Sequence, residues 1–96
     1  MVGKTTNSIK KRKKIQFVFC DENAESVCIL GDFNGWNEKK HVMQRDEQNV
    51  WRKTLMLPPG TYEYRFKVDE HWENDPQNEN VCINCFGTRN NVIQVS

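Results

Sequence analysis

The chain has 96 residues, 36% hydrophobic and 28% charged, which makes one domain with a thin core and no room for a large internal active-site cavity. A functional site is therefore expected on the surface. The net charge of +1 is unevenly spread: residues 1–14 carry six bases and no acid, and residues 15–96 carry eight bases against thirteen acids, a balance of −5. A mildly acidic domain argues against nucleic acid as the main partner, because duplex binding needs positive charge over a folded face.

The opening MVGKTTNSIKKRKK reads as a basic N-terminal tail over residues 1–14, a solvated lead into the first strand. It lacks the apolar middle of a secretory signal, and no run of about 18 apolar residues occurs, so a cytoplasmic chain with no membrane partner is expected. Under that expectation Cys20, Cys28, Cys82 and Cys85 are free thiols rather than a disulfide framework. In IQFVFC, Ile15, Phe17 and Phe19 share one side of a strand. After the polar DENAES, Val27 and Ile29 repeat the alternation, and the two segments are expected to form a hairpin.

A short strand is expected around Val42 to Arg45. VWRKTLML then runs from Val50 to Leu57, breaks at Pro58, Pro59 and Gly60, and resumes as TYEYRFKVD, read as a second strand pair. In the resumed strand Tyr62, Tyr64, Phe66 and Val68 share the core face, and Glu63, Arg65 and Lys67 share the wet one. NVIQV, Asn91 to Val95, closes the chain. Helical spacing is not sustained over three turns anywhere. Short strands about ten residues apart predict an all-β fold, a sandwich of two antiparallel sheets.

The residues offer little to catalysis. His41 and His71 lack the neighbours of a helical metal pair and read as surface residues. The CINC stretch, Cys82 to Cys85, has the spacing of a zinc half-site, but its would-be partners Cys20 and Cys28 are too far apart in sequence, and the region reads as loop. No nucleophile elbow or phosphate loop occurs, and no carboxylate pair has a partner to split its pKa values. No enzyme activity, metal or cofactor is expected.

Left unexplained are aromatics and amides in connections. Trp36 lies in GDFNGWN, Trp72 follows the sharp turn after TYEYRFKVD, and FGTRNN precedes the last strand, whereas Trp51 shares parity with Leu55 and Leu57 and reads as core. A pyranose ring offers an apolar C–H face that packs on indole and a rim of hydroxyls. That rim needs groups with several donors or a paired donor and acceptor, as Arg65 and Asn90 supply.

GDFNGWN, the long pattern from Trp51 to Pro76 and FGTRNNVIQV together resemble the family-48 carbohydrate-binding module. That module is similar to the early-set domain of isoamylases and glycogen-branching enzymes, and to the glycogen-binding domain of the beta subunit of AMP-activated protein kinase. The resemblance spans residues 15 to 96 and implies an immunoglobulin-like (early-set) β-sandwich that binds α-1,4-linked glucans such as glycogen, starch or maltooligosaccharides without catalysis. It implies Trp36 and Trp72 as stacking platforms, Arg65, Thr88 and Asn90 as hydroxyl partners, and Phe86 as the apolar residue reaching toward the glucan. Arg65 stands where the kinase form has lysine, and Phe86 where it has leucine. The resemblance leaves two roles open, a glucan-binding protein or an interaction subunit recruiting a glycogen-metabolising enzyme or kinase.

Overall fold

The structure, a computed structural model, describes residues 11–96. The strands in chain order are β1 (Lys13–Cys20), β2 (Val27–Gly31), β3 (Gln44–Arg45), β4 (Val50–Leu57), β5 (Gly60–Val68), β6 (His71–Glu73), β7 (Val81–Ile83) and β8 (Arg89–Val95), with a 3-10 turn over Asp32–Asn34. They form two antiparallel sheets, ordered β1-β4-β3 and β2-β5-β8-β7, and β6 adds to β5. This is the expected immunoglobulin-like β-sandwich.

Period-two alternation decides what each strand buries. Phe17 and Phe19 of β1 and Trp51, Leu55 and Leu57 of β4 face Val27 and Ile29 of β2, Tyr64, Phe66 and Val68 of β5 and Val95 of β8. The sheets meet through aromatic pairs: Phe17 lies 5.0 Å from Tyr64 between ring centroids, and Phe19 lies 5.1 Å from Phe66. Burying each such side chain stabilises the fold by about 1.5–3 kcal/mol. Trp51 is core as expected, and its indole N–H donates to the Asp21 carbonyl at 3.2 Å.

Both expected hairpins are absent, and the reason lies in what the connections do. β1 pairs with β4, and β2 pairs with β5, so each expected pair is a crossover between sheets. The DENAES connection is tied to other elements: Asp69 accepts the backbone N–H groups of Glu25 and Ser26 at 3.0 and 2.8 Å. After β4, Pro58 and Pro59 have no N–H to give a ladder, so the chain leaves one sheet and enters the other. The last two bases of the run, Lys13 and Lys14, lie in β1 and pair with Leu57 and Met56; the tail through Lys10 lies outside the described residues. Cys82 belongs to β7, which corrects the loop reading of CINC.

Pairing along β5 has one discontinuity that positions the site. β2 runs along one edge of β5 from Tyr64 to Val68. On the other edge β8 takes Gly60 to Tyr64, and β6 takes Phe66 to Val68. Arg65 falls where one partner gives way to the next. The strand-to-strand segment between β6 and β7 is held by Asn91, which is wholly buried: its Oδ1 accepts from the Asp75 backbone N–H at 2.7 Å and its Nδ2 donates to the Asn78 carbonyl at 2.9 Å. Beside it the Tyr64 hydroxyl donates to Asp75 Oδ2 at 2.7 Å and accepts from Asn78 Nδ2 at 3.0 Å, and burial pushes its phenol pKa up.

Candidate functional site

Glu63, Arg65 and Lys67 alternate outward from β5, away from the core. Register brings Trp72 of β6 beside Lys67, and Cys82 of β7 beside Asn90 of β8, all on this outer face. Trp72 is thus a strand residue, not the loop residue expected. The GDFNGWN turn folds over from the end of β2. All six residues singled out from the sequence, Trp36, Arg65, Trp72, Phe86, Thr88 and Asn90, line one open concavity of about 480 Å³, joined there by Asp32, Glu63 and Asn84.

The turn is built to present Trp36. Gly31 has no room for a side chain: a Cβ there would lie 2.6 Å from the Glu63 carbonyl oxygen and 2.8 Å from the Phe33 ring. Phe33 turns inward against Phe17 at 5.6 Å, anchoring the turn to the core. Buried Asn34 ties its own turn together, accepting from Gly31 N–H at 3.1 Å and donating to the Ile29 carbonyl at 3.0 Å and to His41 Nδ1 at 2.8 Å. His41, expected as a surface residue, is therefore a half-buried turn partner. Burial first, then the charges of Lys53 and Lys40, lower its pKa. Gly35 and Trp36 both take left-handed backbone, at φ 64° and 59°, which swings the indole outward.

The two indoles sit 6.3 Å apart at 58°, a splayed floor rather than a stack. Trp72, 44% exposed, carries the Arg65 guanidinium 5.1 Å and the Lys67 ammonium 5.7 Å from its ring, so the indole is braced by cations. Lys67 is itself held by Glu38 at 3.0 Å, whose hydrogen bond keeps the ammonium pKa raised.

Across the concavity, β7 and β8 form a hairpin whose loop is organised by Asn84. Its Oδ1 accepts the N–H groups of Phe86 and Thr88 at 2.9 and 3.1 Å, and its Nδ2 donates to Thr88 Oγ1 at 2.6 Å. With Thr88 Oγ1 accepting that bond, its hydroxyl proton stays free to be donated elsewhere. Phe86 stands at the tip, 86% exposed.

Asn90 is only 5% exposed, and its Nδ2 donates to Glu63 Oε1 at 3.0 Å, which leaves Oδ1 as the free end. The same carboxylate, ahead of burial, raises the pKa of the neighbouring Cys82 thiol. Among the described residues, two buried side-chain polar atoms have no hydrogen-bond partner, Arg65 Nε and Asn90 Oδ1. One is a donor and the other an acceptor, and both belong to residues that line this concavity. Buried polar atoms of folded proteins are rarely left unpaired.

Sequence reasoning missed Asp32, Glu63 and Asn84. Asp32 and Glu63 each carried a visible signal, the first lying in the quoted turn and the second in the outward set of β5. Asn84 sat in a stretch read as structureless. Among the described residues no group of His, Cys, Asp and Glu could hold a metal ion, and no helix is long and apolar enough to cross a membrane.

The antiparallel sandwich thus carries two indoles and a set of polar side chains on one outer sheet face. The chain belongs to the family described as the glycogen recognition site of AMP-activated protein kinase, which it matches over residues 14–96. It is 38% identical over 74 residues to human 5'-AMP-activated protein kinase subunit beta-2, covering 77% of this chain and 26% of that protein. It is 35% identical over 80 residues to rice Protein FLOURY ENDOSPERM 6, chloroplastic, covering 83% and 15%. Against Arabidopsis thaliana Protein PTST homolog 2, chloroplastic, the identity is 35% over 74 residues, covering 77% and 13%. The chain thus spans about a quarter or less of the length of these relatives. Two of the three are chloroplastic by name, so relatedness does not support the cytoplasmic expectation.

Proposed function

We propose that this chain binds α-1,4-linked glucans on the outer face of β5, β6 and β8, without catalysis. Trp36 and Trp72 stack on the apolar faces of neighbouring glucose rings, and their splay suits a curved chain better than a flat one. Arg65 donates to hydroxyl oxygens, Asn90 Oδ1 accepts a hydroxyl proton, Thr88 donates its own, and Phe86 closes over the sugar from the β7–β8 loop. The observation that carries this reading is the gathering of both indoles with Arg65, Thr88 and Asn90 on one open concavity. A sugar hydroxyl is both donor and acceptor, so the ring that packs on indole can meet these polar groups along its rim.

Affinity is modest. A few hydrogen bonds worth about 0.5–1.5 kcal/mol each, set against association costs of at least about 4 kcal/mol, correspond to dissociation constants on the order of micromolar to millimolar. Native electrophoresis through gels with and without glycogen, backed by a maltoheptaose titration followed by tryptophan fluorescence, tests the reading. Wild type is retarded by glycogen, and the folded Trp36→Ala/Trp72→Ala variant migrates as in the blank gel. No retardation, with no fluorescence change at millimolar sugar, overturns it. A recruiting role is the second reading, supported by the human relative being named a kinase subunit. It gains ground if a glycogen-metabolising enzyme or kinase co-purifies while glucan retention is absent.

A further inference from the structure

We propose that Asp32 is a positioning residue: its carboxylate clamps the Trp36 indole to β5, and it acts on sugar affinity only through that indole. The inference rests on the glucan-binding reading and adds to it a residue specific to this chain's geometry.

Trp36 stands on disfavoured left-handed backbone and is half-buried, with its main-chain N–H on the Gly31 carbonyl at 3.0 Å. The polar anchor of its side chain is the indole N–H, which donates to Asp32 Oδ1 at 3.1 Å. The second carboxylate oxygen, Oδ2, accepts the backbone N–H of Glu63 at 2.8 Å. β2 ends at Gly31, opposite Tyr64, so Glu63 lies just past the last rung of that ladder. Asp32 supplies the acceptor that the next strand residue would have offered. One side chain thereby ties the Trp36 platform to the strand that carries Glu63 and Arg65, and through Glu63 to Asn90.

The close fit of Gly31 on the Glu63 carbonyl presses the turn onto β5 at the same place, which gives the clamp a rigid base. Asp32 also lines the concavity, so a direct contact with sugar is the competing account, and a double-mutant cycle separates the two.

The experiment uses the full chain labelled with 15N-tryptophan, and maltoheptaose as the probe. In Asp32→Ala the Trp36 indole N–H resonance, assigned from its loss in Trp36→Ala, moves and exchanges faster with solvent, while that of Trp51 is unmoved. The maltoheptaose Kd rises roughly three- to tenfold, as for loss of one ordinary hydrogen bond. Asp32→Asn, which keeps one carbonyl oxygen, recovers part of that loss. On a Trp36→Ala background the Asp32→Ala change alters Kd by less than about twofold.

An equal loss in both backgrounds means that Asp32 meets the sugar itself and overturns the proposal. So does an unchanged indole resonance with unchanged Kd. If Asp32→Ala does not fold, Asp32→Asn carries the same cycle. Failure of wild type to bind maltoheptaose overturns the glucan reading instead, and the indole resonance then decides the clamp alone.

Discussion

Asn90 and Asn91 are adjacent in sequence and opposite in purpose, because a strand turns successive side chains to opposite faces. Asn91 faces inward and holds the β6–β7 connection, whereas Asn90 faces the concavity with its Oδ1 unpaired. Asn91→Ala strips several buried hydrogen bonds and is expected to cost about 2–4 kcal/mol, a fall in Tm of at least about 8 °C for a domain of this size. Asn90→Ala is expected to leave Tm within about 5 °C and to weaken maltoheptaose roughly three- to tenfold. Differential scanning calorimetry and the sugar titration read the two effects apart. Trp51 was legible as core from parity alone, since Leu55 and Leu57 share its side. Trp36 was legible as an aromatic stranded in a turn and, through the resemblance, as a stacking platform. Asp32 and Glu63 showed their positions, in the quoted turn and on the outward set of β5, but not their roles, because an acidic residue in a turn or on a wet strand face looks the same whether it is solvated or holds an indole or an amide in place.

At the scale of elements, alternation gave each long strand its place in the chain, and β4 runs from Val50 to Leu57 as expected. It said nothing of partners. A polar six-residue connection and a Pro-Pro-Gly break both read as hairpins locally, yet both cross between sheets, because the aromatic faces of β1 and β5 pack against each other rather than lying side by side. The three-residue strands β6 and β7 are too short to show a period, which is why Trp72 and Cys82 were placed in loops. The GDFNGWN turn is where local and long-range demands meet. Gly31→Ala puts a methyl group into the Glu63 carbonyl and the Phe33 ring, and is expected to destabilise by about 1–3 kcal/mol. The turn must shift to accept it, so urea unfolding gives a lower midpoint and glycogen retardation weakens in the folded fraction.

For the molecule as a whole, pH and salt give contrasting expectations. His41 accepts the Asn34 amide proton only when neutral, and its folded pKa lies below the ordinary value of 6.5. The unfolded chain therefore takes up the proton first, and stability is highest above about pH 6.5 and declines as pH falls toward the folded pKa. Between pH 7 and 5.5 the Tm of wild type is expected to drop more than that of His41→Gln. Glucan carries no charge, so glycogen retardation is expected to hold nearly constant from 0.05 to 0.5 M salt, about a threefold shortening of the Debye length. A partner held by surface ion pairs would dissociate over the same range.

β6 holds one further consequence. It is three residues long, exposed throughout, and its strand pairing runs along the upper part of β5, past the point where β8 ends, with Asp69 and Asn74 tying its two ends to neighbouring elements. None of its residues belongs to the buried core between the sheets, so local opening of β6 would displace Trp72 and uncover Arg65 without disturbing that core. The amides of His71 to Glu73 should therefore exchange with deuterium by local opening, far faster than those of Phe66 or Ile29. A ligand spanning Trp36 and Trp72 bridges that seam, and saturating maltoheptaose should slow exchange in β6 while leaving β1 and β4 unchanged. The binding surface then behaves as the least cooperative part of the fold, a latch that sugar fastens.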